Sequence, residues 1–274
     1  METKNWTGER LETFIFNENT IEHLHRYAIA QRLAKDKKVL DIACGEGYGS
    51  NLIAKFAQEV KGVDISDIDI SKAIDKYKKD NLEFVVGSIL DIPFGDKTFD
   101  IIVSYETLEH LAEHEVILKE VNRVLKPGGL LIISTPNKLN YSDKKSYKNP
   151  FHVKELYPEE FKLLVGKYFS NIQMLSQKYL TGSIILSKDC PNHFYNGDYT
   201  SLNISQNFDE EYNIIIASNS DLPIITSSIF YSPFHNQHQY DLADSVKSSY
   251  SYRLGNLILK PFSLVKRFTK KLLK

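Results

Sequence analysis

Two hydrophobic periods share the chain. Short apolar runs closed by turn residues fall at 38–43, 59–63, 82–86, 98–104 and 130–135, and predict buried strands. Between and after them, apolar residues spaced for one helix face predict helices at 49–57, 67–79, 109–124 and 155–166. An earlier helix is expected over about 20–35, capped by Asn19 or Thr20, with its polar face in solvent. Two further strands are expected at 171–178 and 211–217. Strand and helix in alternation argue for a parallel sheet covered on both faces, joined by right-handed crossovers. A ligand site is then expected at the C-terminal ends of strands one and four, where the winding reverses.

The stretch from Val39 to Ser50 fits that place. An apolar strand is followed by Gly45, Gly47 and Gly49 and then a helix start. Glycines let backbone approach a ligand without a Cβ in the way, and a helix N-terminus adds oriented N–H groups. The spacing is G-x-G-x-G, not the G-x-G-x-x-G of dinucleotide sites. Asp41 ends the first strand, which suits a ligand with a cationic amino-acid end. Asp64 ends the second, where a carboxylate accepts from both hydroxyls of a ribose.

Composition narrows the function little. The chain has 274 residues, 42% hydrophobic and 25% charged, with formal net charge -1. These are ordinary values for a soluble protein, and no global field calls for nucleic acid. Cys44 and Cys190 are the only cysteines, which excludes a Cys-based zinc site and fits a reducing compartment. The start has no signal-peptide core and no apolar run is long enough to span a bilayer, so a cytoplasmic location is expected.

Acids and histidines after strand four carry the candidate chemistry. If the chain is helical from about Glu106, then Glu106, Glu109 and His110 share one face. Two carboxylates and an imidazole there either hold a divalent metal or serve as a cap and local hydrogen-bonding groups. His152 follows strand five on a loop that should lie near the loop leaving strand four, so it can face His110. Without a metal, His152 or His110 is the candidate general base.

The motifs together resemble those of class I S-adenosylmethionine-dependent methyltransferases. Asp41 to Gly49 matches D-x-G-x-G-x-G with Ala43 in place of the first glycine. Val60–Ser66 resembles the family's second motif, Gly87-Ser88-Ile89 its third, and Val124-Leu-Lys-Pro-Gly-Gly129 the turn before its fifth strand. The resemblance covers roughly residues 1–220. It implies an α/β, doubly wound Rossmann-like sheet of seven strands, order 3-2-1-4-5-7-6 with the last strand antiparallel. It implies S-adenosyl-L-methionine as cofactor, bound by Asp41, Gly45, Gly47, Asp64, Ile65, Ser88, Ile89 and Tyr105, with an N-terminal arginine, Arg10 in preference to Arg26, on the methionine carboxylate. Similarity to small-RNA 2′-O-methyltransferases and to ubiquinone-type enzymes implies Mg2+ or Mn2+ held by Glu106, Glu109, His110 and His152.

Residues 1–222 then form the methyltransferase domain, with 180–210 as an inserted substrate lid rich in Asn, Tyr, Ser and Asp. Residues 223–274 form a C-terminal arm. Its last part carries Leu254, Leu257, Ile258, Val265, Phe268 and Leu272 on one stripe with lysines and Arg267 around it, a basic amphipathic helix for a membrane surface, for another subunit or for the same domain. A histidine- and carboxylate-lined pocket favours an oxygen acceptor over an amine. Thr7-Gly-Glu-Arg10 and Glu22-His-Leu-His-Arg-Tyr27 look like bacterial methyltransferases encoded with capsule and lipopolysaccharide assembly enzymes. That resemblance implies a sugar or sugar-linked group of a polysaccharide precursor, lipid- or nucleotide-linked, as substrate. A quinone or other small molecule, a phosphoryl-type substituent of a glycan, and a cofactor-binding module active only with a partner are the competing readings.

Overall fold

The computed structural model describes residues 11, 13, 16–180 and 209–231, and the backbone of 194–197 and 202–205. Two compact units divide the chain, Met1–Ser228 and Ile229–Lys274. The first is described below. The predicted basic helix lies outside the described residues, as does Arg10.

The first helix, α1 (Glu18–Leu33), starts two residues earlier than its pattern indicates. Asn17 is the cap: its side chain accepts from Thr20 N–H, and the Thr20 hydroxyl reciprocates on the Asn17 N–H. Five parallel strands follow: β1 (Lys38–Ile42), β2 (Glu59–Asp64), β3 (Leu82–Val86), β4 (Phe99–Tyr105) and β5 (Leu125–Pro136). The intervening helices are α2 (Tyr48–Ile53), α3 (Asp67–Lys76), α4 (His114–Val124) and α5 (Pro158–Gly166). After α5 come β6 (Asn171–Gln177), a short antiparallel hairpin of β7 (Phe194–Gly197) and β8 (Leu202–Ser205), and β9 (Tyr212–Ser218). The main sheet runs β3-β2-β1-β4-β5-β9-β6, with β9 antiparallel to both neighbours. This is the seven-stranded order implied by the resemblance. The hairpin falls within the span expected to be a lid, most of which lies outside the described residues.

Strict alternation in the central strands builds two cores. Leu40, Ile102, Leu131, Ile133 and Ile215 face α4 and α5, which contribute Ile117, Leu118, Val121, Phe161 and Val165. Val39, Ile101, Val103, Ile132 and Ile214 face the other way, against Tyr27, Ala30 and Ile53 of α1 and α2. Both faces are buried, so the strands read as continuous apolar runs. Among the described residues no helix is long and apolar enough to cross a membrane.

Candidate active site

A cavity of about 420 Å³ opens at the C-terminal ends of β1, β2 and β4, where the winding reverses. The glycine loop forms its floor. Gly45 has φ +53 and an added Cβ would meet nothing within 4 Å, so the backbone lies open to a ligand. Gly47 and Gly49 serve packing instead: a Cβ on Gly47 would stand 2.5 Å from the Phe84 ring, and one on Gly49 1.9 Å from Tyr27. Ala43 adopts φ 62, the left-handed conformation that favours glycine.

Asp64, Ile65, Ser88, Ile89 and Tyr105 all line this cavity with Gly45. Asp64 accepts from Gly45 N–H at 2.8 Å and from Ser66 N–H at 2.9 Å, one on each oxygen. Ile65 is 71% exposed, an apolar side chain laid beside the cavity. Ser88 Oγ accepts from Leu90 N–H and shapes the loop after β3. Asp41 and Gly47 stand back from the wall. Asp41 is buried under the loop and accepts from Ser50 Oγ at 2.6 Å and Tyr27 OH at 3.3 Å, with its pKa pushed by burial to about 6. It braces the glycine loop rather than facing a ligand.

Glu106 departs from its expected place. The chain is not helical there: Glu106 has φ 50, a single 3-10 turn spans Leu108–His110, and α4 begins only at His114. Its carboxylate lies at the cavity wall but turns to Arg26, Nη1 to Oε1 3.1 Å, and accepts from Ser134 Oγ at 2.5 Å. Arg26 is 1% exposed. Its Nε donates to Gln177 at 2.6 Å, and its guanidinium lies 4.4 Å over the Tyr212 ring. Burial opposes its charge, but Glu106, Tyr212 and Glu22 more than offset that and raise its pKa. The polar face expected in solvent on α1 is thus partly inside, since Glu22 is buried too.

The remaining predicted ligands do converge. One ligand atom each of Glu109, His110 and His152 lies within 4.8 Å of the others. Glu109 is buried, and Thr135 Oγ1 donates to it at 3.0 Å. Burial first, and then the charge of Glu106, hold its pKa well above the usual carboxylate range. Its carbonyl accepts from Val153 N–H at 2.8 Å and Lys154 N–H at 3.0 Å, which stitches the loop carrying His152 against the loop after β4. The two imidazole centroids are 5.1 Å apart.

Hydrogen bonds fix both histidine tautomers. His110 Nδ1 lies 3.0 Å from the Phe151 carbonyl, which only accepts, so the proton is on Nδ1, and Nε2 lies 4.0 Å from Glu109 Oε1. His152 Nδ1 lies 2.5 Å from Glu155 Oε1. Asn149 Oδ1 accepts from Phe151 N–H, which orients its amide, and Nδ2 then donates to His152 Nε2 at 3.0 Å. Tyr141 stacks on His152 at 5.5 Å. Sequence reasoning missed Glu155 and Asn149 as functional groups. They stand three residues to either side of His152, in Asn149-Pro-Phe-His152-Val-Lys-Glu155.

Residues 40–133 match a family model described as a methyltransferase domain. A probable S-adenosylmethionine-dependent methyltransferase of Mycolicibacterium smegmatis is 34% identical over 154 residues, 55% of this chain and 59% of that protein. One of Mycobacterium tuberculosis is 34% identical over 173 residues, 61% of this chain and 62% of that protein. The chain therefore spans about three-fifths of the length of these curated relatives. Among solved structures, a chain of the complex between the Haloferax volcanii Trm112 methyltransferase activator and the putative methyltransferase superposes with TM-score 0.56 at 18% identity, over 76% of this chain and 95% of that one. A possible histamine N-methyltransferase of Thermotoga maritima gives TM-score 0.54 at 19% identity, over 74% and 91%. At these identities the structures share the fold. Residues 40–133 are thus similar to methyltransferase domains, and the sheet order is that of the α/β methyltransferase fold these solved structures share.

Proposed function

We propose that the chain transfers a methyl group from S-adenosylmethionine to a hydroxyl of a sugar or sugar-linked group on a surface-polysaccharide precursor. The convergence of two imidazoles and the Glu109 carboxylate on the cavity wall carries the oxygen acceptor. Alcohols need their proton removed, and amines need less help. The cofactor supplies an electrophilic methyl on a cationic sulfonium. The open backbone of Gly45, the Asp64 carboxylate on the cavity wall and the apolar Ile65 and Ile89 suit such a cofactor.

His152 is the base. Glu155 holds the proton on Nδ1, so Nε2 is the atom that accepts the hydroxyl proton as the new C–O bond forms, and the same carboxylate then stabilises the imidazolium. Asn149 occupies that lone pair until the acceptor hydroxyl replaces it. In the alternative, Glu109, His110 and His152 would hold a divalent ion, with His152 a ligand instead of the base, and two imidazoles with one carboxylate favour Mn2+ over Mg2+. Such an ion would lower the pKa of the acceptor hydroxyl. Glu106 is left out of that set by its pairing with Arg26. Tyr141 and Asn149, both on the cavity wall, offer a stacking face and hydrogen bonds of the kind a sugar ring takes.

Methyl transfer to a panel of nucleotide sugars, with EDTA and metal add-back, tests this reading. His152→Ala should lower kcat by roughly 100- to 10,000-fold with cofactor binding intact. Loss with EDTA and return with Mn2+ is the expected metal result. Transfer to no sugar, with cofactor still bound, overturns the acceptor and favours a second reading. Curated relatives include a fatty-acid O-methyltransferase of Mycolicibacterium smegmatis and a ubiquinone biosynthesis O-methyltransferase of Coxiella burnetii, both named for lipophilic acceptors.

A further inference from the structure

The outer lip of the acceptor side is the segment from Lys138 to Tyr157, between β5 and α5. Five large side chains on it are exposed, Leu139, Tyr147, Phe151, Val153 and Tyr157, with Val153 65% and Phe151 38% open. Phe151 and Val153 flank His152, whose side chain is only 7% exposed. The chain thus turns its base inward and the neighbours of that base outward. The lip is also basic, with five lysines against two acids. Both acids are engaged within the lip, Asp143 by the Tyr157 hydroxyl and Glu155 by His152. Lys144 and Lys145 pair with Asp209 and Glu211, and Lys138 lies over the Tyr157 ring. The ammonium groups of Lys148 and Lys154 have neither a hydrogen bond nor an ion pair among the described residues.

We propose that this lip docks on an anionic lipid surface, with Phe151 and Val153 in the headgroup region and Lys148 and Lys154 on the lipid phosphates. Apolar side chains between unpaired lysines match an interface that is apolar inside and negative at its face. An apolar protein partner would not use the ammonium groups, and an acidic one would leave Phe151 and Val153 in water. The acceptor then enters the cavity from the bilayer, so the glycan precursor methylated is a lipid-linked one. This step rests on the reading of the cavity as the reaction site, whereas the docking does not. The basic C-terminal stretch read from the sequence offers the same chemistry in another part of the chain.

Environment-sensitive fluorescence on the full chain separates the two places. In a Cys190→Ser background, with Cys44 buried, a fluorophore is attached at Val153→Cys and, as control, at Lys55→Cys just past α2, beside the N-terminal ends of β1 and β2. Vesicles of phosphatidylcholine with phosphatidylglycerol should blue-shift the probe at 153 and leave that at 55 unchanged, and neutral vesicles should shift neither. Lys148→Gln and Lys154→Gln should each weaken vesicle partitioning roughly fivefold. Vesicle binding without a shift at 153, a shift independent of lipid charge, or lysine variants that partition like the parent overturns the proposal. The probe reports the surface whether or not methyl transfer occurs, so failure of the sugar reading and failure of the docking are told apart.

Discussion

Replacing Arg26 by Met should cost far more stability than a helix substitution ordinarily does. The guanidinium is 1% exposed and stands 3.1 Å from Glu106, so the Coulomb term at an effective dielectric of about 20 is roughly 5 kcal/mol. Much of that repays the desolvation of two charges, and Nη1 and Nη2 are buried without a hydrogen-bond partner. The pair therefore adds little net stability, but breaking it strands Glu106 beside the carboxyls of Glu22 and Glu109. Arg26→Met should lower the unfolding free energy by about 3–5 kcal/mol. Glu106→Gln leaves Arg26 with Glu22 and the Tyr212 face and should cost about 2 kcal/mol. Because the stranded charge is the cost, the double variant should be more stable than Arg26→Met alone. Urea unfolding by far-UV circular dichroism near neutral pH reads all four corners of the cycle, and melting should fall by roughly 2–4 °C per kcal/mol. An Arg26→Met loss under about 1 kcal/mol, or a double variant no better than that single, refutes the reasoning.

Two further changes test single groups. Burial raises the Glu22 carboxyl from its ordinary 4.5 to about 7. The native state then holds a proton that the unfolded chain gives up, so this stabilisation is complete below pH 4.5 and lost as pH rises through 7, about 3 kcal/mol in all. Glu22→Gln should flatten that slope in urea midpoints measured against pH, and parallel profiles for variant and parent would sink the assignment. Ala43→Gly should stabilise by about 1 kcal/mol, because φ 62 strains an L side chain and not a glycine; a lower unfolding midpoint would count against it.

Strands and their order were legible because burial on both faces leaves an unbroken apolar signature, as in Ile101-Ile102-Val103. Local patterns also located the Asp64 and Gly45 side of the cavity. Legibility ended where a contact crosses the chain. Nothing near Glu106 foretells that Arg26, on another element, draws its carboxylate out of the metal-type cluster. Nothing on α1 marks Glu22 and Arg26 as buried, since a helix pattern assigns charges to solvent. By contrast, Asn149 and Glu155 stood in plain view at equal spacing around His152 and were readable as a tautomer-fixing pair.

The antiparallel strand β9 has a consequence for how the molecule is made. It pairs Ile215 with Ile133 of β5 on one side and with Met174 of β6 on the other, so β6 reaches the sheet only through it. During synthesis β5 and the whole cofactor half are complete while their flank still lacks a neighbour. That flank is a row of open N–H and C=O groups beside Ile132 and Ile133, the kind of edge that recruits foreign strands. Tyr212, at the start of β9, closes the cavity wall beside Arg26. The last strand to be made is therefore both the guard against misassembly and the piece that finishes the cavity wall, and a nascent chain released before residue 212 would have neither.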